Sequence, residues 1–277
     1  MSVPAALVEG LLSGATIPWL GPAVLTHGEA PQSSGVLAGA LSAAVAVPHK
    51  ARKVASAAAQ YIENFKHRST LNSLMTAAFA GRAAPSRLHH LIARLPAASL
   101  IVHGWYDDAV LQALEAERRG DAFALVQSVS PAEHKLGTWF AHYNADGTQL
   151  SAEEAQARPT LLYAPLGCVR PARNYLISDA DFVEVLTEID IQTPIPPEVI
   201  RRRTGCGFAF IGCRFDDQIA RTFARQIMKR SGGPHWAFLP DEPTRGEARF
   251  LAEQGITRLA AAPAALEAAL VAALSPA

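Results

Sequence analysis

Short apolar runs alternate with Ala- and Leu-rich stretches of helical spacing along this chain. Residues 100–103, Leu-Ile-Val-His, form one such run, which stops at small and polar residues and leads into the helical pattern of 109–116. This alternation is typical of βαβ units and of a mostly parallel sheet. The predicted strands are Ala15–Leu20, Leu100–His103, Ala122–Gln127, Thr160–Ala164, Gly207–Cys213, Trp236–Leu239 and Ile256–Leu259. Most are apolar throughout, which predicts an α/β fold whose parallel sheet is covered by helices on both faces.

Two segments depart from this alternation. Between the first two strands, at about 36–95, apolar residues such as Leu71, Leu74 and Met75 recur at helical spacing without a convincing strand. We interpret this segment as a helical layer inserted into one domain that covers 1–277. The segment 127–158 is mixed, with a predicted edge strand at Trp139–Tyr143.

The composition narrows the classes of function. The chain has 277 residues, of which 49% are hydrophobic, and it carries 25 basic and 25 acidic side chains. Because there is no basic surplus, neither nucleic acid nor an anionic membrane is an expected partner. The N-terminal residues lack the positive segment of a secretory signal, and no run of about 18 apolar residues occurs, so a cytoplasmic location is expected.

The three cysteines leave two interpretations open. Cys168, Cys206 and Cys213 form no Cys-x-x-Cys pair, which argues against a four-cysteine zinc module. Cys168, Cys213 and His103 fall at the predicted carboxyl ends of parallel strands, where ligands bind in such sheets. They form either a soft-metal or redox site, since thiolate and imidazole are common ligands, or a set of small buried side chains.

Several motifs, taken in chain order, resemble those of sirtuin-like proteins. Residues 17–25 occupy the place of the family's first strand and Gly-Ala-Gly-x-Ser loop, and 103–107, His-Gly-Trp-Tyr-Asp, the place of Thr-Thr-Asn-Tyr-Asp. Residues 160–169 resemble the strand that ends in Lys-Leu-His-Gly-Ser, and 208–217 resemble Phe-Leu-Gly-Tyr-Ser-x-x-Asp. The resemblance is closest to the zinc-free bacterial branch that includes NAD-hydrolysing defence proteins. It implies a Rossmann-like fold without a zinc module.

The resemblance also implies a crevice for NAD or ADP-ribose. The positions carried over to it are Gly21, Ala23, Ser33, His103, Trp105, Asp107, Gly167, Gly212 and Cys213. In the first loop, Ala23 stands in place of a glycine and Pro22 removes a backbone N–H. Both changes weaken the cradle that such a loop offers to a pyrophosphate.

The catalytic positions of the family are replaced. Trp105 stands where the family has the Asn that orients a water, and Leu166 stands where it has the His that acts as general base. Neither an indole nor an isobutyl group can accept a proton. We expect both side chains to fill the vacated nicotinamide pocket, the alternative being that Trp105 stacks on a base.

The leading hypothesis is a noncatalytic, sirtuin-like protein whose crevice senses NAD or ADP-ribose, or binds a protein partner or a second copy of the chain. The alternative is an NAD glycohydrolase in which His103 and Asp107 substitute for the lost residues. A metal or redox role of Cys168 and Cys213 is a weaker third hypothesis. Asp107 or Asp108, and likewise Asp216-Asp217, either contact a ribose or cap the helix that follows.

Overall fold

The computed structural model of this chain describes residues 3–25, 30–118, 120–133, 138–188 and 195–275. The described helices are α1 (Ala5–Ser13), α2 (Ser34–Ala44), α3 (Ala55–Lys66), α4 (Arg68–Phe79), α5 (Arg87–Ala93), α6 (Ala109–Glu117), α7 (Ala152–Ala157), α8 (Asp179–Glu188), α9 (Pro197–Arg203), α10 (Gln218–Met228), α11 (Arg245–Glu253) and α12 (Pro263–Leu274). The described strands are β1 (Thr16–Leu20), β2 (Leu100–His103), β3 (Phe123–Ser128), β4 (Phe140–Tyr143), β5 (Gln149–Leu150), β6 (Thr160–Ala164), β7 (Gly167–Cys168), β8 (Asn174–Tyr175), β9 (Gly207–Ile211), β10 (His235–Phe238) and β11 (Ile256–Leu259).

The central sheet is largely parallel. Within the described ranges it has nine strands in the order β11-β10-β9-β1-β2-β6-β3-β4-β5. The strands from β11 to β3 pair in parallel, and the last two join antiparallel at one edge. The chain leaves β1 toward β2 on one side and returns to β9 on the other. The boundary between β1 and β9 is therefore the point where the strand order reverses, which is where ligands bind in open α/β sheets.

Each face of the sheet is covered by its own hydrophobic core. Successive side chains on a strand point to opposite faces, so Leu162 of β6 packs in one core and Leu161 and Tyr163 pack in the other. The first core is completed by residues of α1 to α6 and α12, and the second by residues of α7 to α11. The predicted α/β fold, Rossmann-like with helices on both faces, is confirmed.

The strand predictions agree with the structure to within two residues at their ends. The segment at about 36–95 contains helices and no strand among its residues, all of which the structure describes. The sequence did not reveal β5, β7 and β8, which have two residues each and are too short for a period-2 pattern.

Arg202 and Arg203, at the end of α9, bind backbone carbonyl oxygens of neighbouring elements. Arg202 donates hydrogen bonds to four carbonyl oxygens, of Ser99, Gln156, Arg158 and Pro159. Arg203 is 3% exposed and donates to the carbonyl oxygens of Gln226 and Ile227 at the end of α10. Among the described residues, none of the helices combines the length and apolar character needed to cross a bilayer.

Candidate active site and its nucleotide-sized cavity

A cavity of about 560 Å³ opens at the reversal point of the sheet. The loop after β1, the turn after β2 and the loop after β9 form its floor, and the N-terminal ends of α2, α3 and α10 form its walls. Much of its wall is aromatic or aliphatic, from Trp19, Trp105, Leu166, Phe182, Phe215 and Phe223. Its volume lies in the range of roughly 300 to 1,000 Å³ that is common for small-molecule sites.

Within the described residues 21–25 that follow β1, every backbone N–H group is already used in a hydrogen bond. The N–H of Gly21 donates to the carbonyl oxygen of Ile211 at 2.9 Å, and that of Ala23 donates to Gly212 at 3.1 Å. The N–H of Val24 donates within the loop, and Pro22 has none. A Cβ on Gly21 would lie 2.6 Å from the carbonyl oxygen of Gly212, so the loop packs directly on its neighbour. Residues 21–25 therefore offer no N–H group to a pyrophosphate.

Trp105 closes one side of the cavity. The side chain is 7% exposed, and its ring contacts Phe79 edge-on and Tyr106 at centroid distances of 6.1 and 5.0 Å. Leu166 is half-buried and lines the same cavity. Trp105 and Leu166 therefore line the same cavity.

His103 and Asp107 lie outside this cavity. His103 is 3% exposed, and its Nε2 donates to the carbonyl oxygen of Asp107 at 2.7 Å. Asp107 is 1% exposed, and its Oδ1 accepts from the N–H of Ala109 at 2.8 Å, in the first turn of α6. Burial raises the pKa of the Asp107 carboxyl. This carboxylate binds the first N–H of α6, and neither side chain lines the cavity.

The two cysteines at the strand ends are separated. The Cys168 thiol donates to the carbonyl oxygen of Asp107 at 3.0 Å, whereas the Cys213 Sγ lies 3.7 Å from the carbonyl oxygen of Trp19. Because β2 and β1 lie between β6 and β9, the two strand ends are about 14 Å apart. The described residues contain no group of three or more His, Cys, Asp and Glu side chains that could hold a metal ion. The structure therefore does not bring Cys213 together with Cys168 and His103.

Both thiols are weak acids in this environment. Cys168 is 2% exposed, and burial raises the pKa of its thiol above the ordinary value. Burial raises the pKa of Cys213 to about 12. The thiolate is the nucleophilic form, so neither cysteine is poised for attack near neutral pH.

Of the remaining predicted residues, some line the cavity and one lies outside it. Ser33 and Gly212 line the cavity together with Ala23. Ser33 is also the N-cap of α2, where its Oγ accepts from the N–H of Val36 at 3.2 Å. Gly167 lies outside the cavity in the β7–β8 pair, with a φ of 80° that favours glycine.

Acidic and basic side chains meet where the loop after β9 enters α10. Asp217 caps α10 through its Oδ1, which accepts from the N–H of Ala220 at 2.6 Å, and burial raises the pKa of this carboxyl. Asp216 is exposed and lines the cavity. Arg214 forms a bidentate pair with the fully buried Glu247, with both N–O distances 2.8 Å. This pair fixes the loop against α11.

Three cavity residues carried no signal in the sequence. Trp19, Lys53 and Ser56 line the cavity, yet Trp19 belongs to an apolar strand and the other two to the helical segment. Only the folding of α2 and α3 over the sheet edge brings Lys53 and Ser56 there. Within the described residues the cavity is lined by no histidine.

The fold and the cavity define an α/β protein of Rossmann-like type with a ligand site at the strand reversal. Residues 99–259 match the family model of the SIR2-like domain, which is more than half of the chain. The chain therefore belongs to the SIR2-like family, which is NAD-related, and the predicted sirtuin resemblance is confirmed. None of the curated proteins matches the chain.

Proposed function

We propose that this protein binds an ADP-ribose-type nucleotide in the cavity at the strand reversal without cleaving it. The position and volume of the cavity are the main support for this proposal. It lies where α/β folds bind ligands, and its 560 Å³ suit a nucleotide. Family membership favours an NAD-related ligand.

The chemistry of the cavity wall argues against turnover. Cleavage of a glycosidic bond to nicotinamide needs a group that positions water and a base that takes its proton. The described wall offers Trp105 and Leu166 at the family's catalytic positions, and neither side chain can accept a proton. Only Asp216 and Asp217 offer carboxylates there, and one Asp217 oxygen already caps α10.

Isothermal titration with ADP-ribose and with NAD tests the proposal, combined with chromatography of released nicotinamide. We expect ADP-ribose to bind and nicotinamide release to stay at the level of a buffer control. Clear turnover that Asp217→Asn or His103→Ala abolishes would overturn the noncatalytic assignment and favour an NAD glycohydrolase.

A matched pair of glycine substitutions locates the binding site. Gly35 and Gly39 both lie on α2, and a Cβ on either would meet no atom within 4 Å, but only Gly35 lines the cavity. Gly35→Trp should therefore weaken ADP-ribose binding by about tenfold or more, or roughly 1.4 kcal/mol. Gly39→Trp should leave it unchanged. Equal affinities for both variants would place the ligand elsewhere.

A further inference from the structure

Residues 21–25 after β1 offer no N–H group to the phosphates of such a ligand, and the helical segment supplies other partners. The N-terminal ends of α2 and α3 meet at the cavity, where the Oγ of Ser34 accepts the N–H of Ala55 at 3.1 Å. Ser34 and Ala55 are the first residues of their helices, and neither helix has an acidic side chain in its first turn. The partial positive charges of two helix N-termini therefore lie at the same side of the cavity.

Ser56 adds a polar group with no partner. The residue is 6% exposed and lines the cavity, and its hydroxyl forms no hydrogen bond within the described part of the chain. It lies in the first turn of α3, where backbone N–H groups also lack intrahelical acceptors. This hydroxyl belongs to a buried residue of the cavity lining and has no protein partner, so it is available to a ligand atom.

Lys53 supplies the positive charge. It lies three residues before Ser56, is exposed, lines the cavity and forms no ion pair with the residues that the structure describes. The carboxylates of the cavity, Asp216 and Asp217, come from the loop and helix on the α10 side. Helix ends, hydroxyl and ammonium group together have the chemistry of a phosphate site.

We infer that the phosphate groups of the nucleotide bind at the joined N-terminal ends of α2 and α3, against Ser56 and Lys53, and not at residues 21–25 after β1. This inference rests on the proposed function and specifies how its ligand is held. The helical segment thereby provides a binding element that lies outside residues 99–259, the range of the family match.

The test measures the binding of ADP-ribose, ADP, inorganic pyrophosphate and neutral adenosine to the full chain. Ser56→Ala and Lys53→Gln should each weaken the binding of ADP and of ADP-ribose by roughly tenfold. This is the effect expected from the loss of one hydrogen bond to a charged group. Adenosine binding should change by less than about twofold. Lys50→Gln is the matched control, because Lys50 is exposed on the same segment but does not line the cavity.

The outcomes separate the two proposals. If ADP-ribose binds in a manner sensitive to Gly35→Trp but insensitive to Ser56→Ala and Lys53→Gln, the phosphate site is wrong and the proposed function stands. If pyrophosphate binds through Ser56 and Lys53 while ADP-ribose does not bind, the phosphate site stands and the proposed function fails. If neither ligand binds, both are overturned. Thermal unfolding of each variant shows whether a lost affinity reflects a lost fold.

Discussion

The indole Nε1 of Trp105 donates a 2.8 Å hydrogen bond to the carbonyl oxygen of Pro31. This bond joins the turn after β2 to the segment that leads into α2. The ring also packs on Phe79 and Tyr106 and is 7% exposed. Trp105 therefore holds two elements of the cavity together in addition to filling space beside it.

Replacement of Trp105 should destabilise the protein. Trp105→Ala is expected to lower the free energy of unfolding by roughly 3 to 5 kcal/mol, because a buried ring and its packing are lost. Trp105→Phe keeps a ring and should lose about 1 to 3 kcal/mol, since the Pro31 carbonyl oxygen is left without its donor. Urea unfolding at pH 7.5 measures both. An unchanged unfolding midpoint for Trp105→Ala would make base stacking the better interpretation of this ring.

Glu247 should contribute stability that depends on pH. Burial opposes its charge, but hydrogen bonds from Arg214, Thr244 and Phe215 outweigh burial and lower its pKa from 4.5 to about 2. A carboxyl whose folded pKa is depressed stabilises the fold above its unfolded pKa and loses that effect as the pH falls. Glu247→Gln should therefore cost about 2 to 4 kcal/mol at pH 7, a loss that shrinks between pH 4.5 and 2.

A control for this change lies on the same helix. Glu253→Gln removes an exposed ion pair with Arg249, whose N–O distance is 2.7 Å, and should leave the free energy of unfolding nearly unchanged because solvent screens the pair. Unfolding by denaturant across this pH range gives both values. A Glu247→Gln variant with the pH dependence of the parent protein would contradict the assignment.

His89 should make the protein sensitive to mild acid. It is 1% exposed, and burial, together with the neighbouring His103 and His90, lowers its pKa from 6.5 to about 3. The unfolded chain thus binds a proton between these pH values that the folded chain does not, so stability falls as the pH drops below 6.5. This single group accounts for a slope of about 1.4 kcal/mol per pH unit.

His89→Gln should flatten that slope while keeping the helix start intact. The Nδ1 of His89 accepts from the N–H of Ser86 at 2.9 Å in a capping box, and Gln is a usual residue at this position. His90→Gln is the control, because His90 is partly exposed and pairs with Glu117. If the free energy of unfolding falls equally for the parent and for His89→Gln between pH 6.5 and 4.5, His89 is protonated in the folded protein.

Ligand binding should protect one thiol from alkylation. Cys213 lines the cavity, Cys206 is half-buried at the start of β9, and Cys168 is 2% exposed. Maleimide at pH 8 should label Cys206 and Cys213 slowly and leave Cys168 unmodified, because burial raises the pKa of all three thiols. ADP-ribose should slow labelling of Cys213 without affecting Cys206. Mass spectrometry reads each site, and equal protection of both thiols would count against a ligand in the cavity.

The sequence by itself determined the layered α/β fold. Strands such as 100–103 and 160–164 are apolar throughout because helices cover both faces, and this local pattern is visible without coordinates. The sequence also singled out Trp105 and Leu166, since the motifs in which they stand are contiguous, and both side chains line the cavity. Tertiary structure alone decided which side chains share a cavity. His103 and Asp107 end a strand as predicted, yet they are buried away from it.

Lys53 and Ser56 belong to a segment without a motif, and they reach the cavity because α2 and α3 pack over the carboxyl edge of the sheet. The sequence predicts the elements but not the cavity lining because the two depend on interactions between residues at different separations along the chain. Backbone hydrogen bonding and burial periodicity act between near neighbours in the chain, whereas the direction of a side chain at a strand end depends on contacts with residues far away in sequence. The N–H groups of Gly21 and Ala23 are an example of such a distant contact, because they donate to the carbonyl oxygens of Ile211 and Gly212.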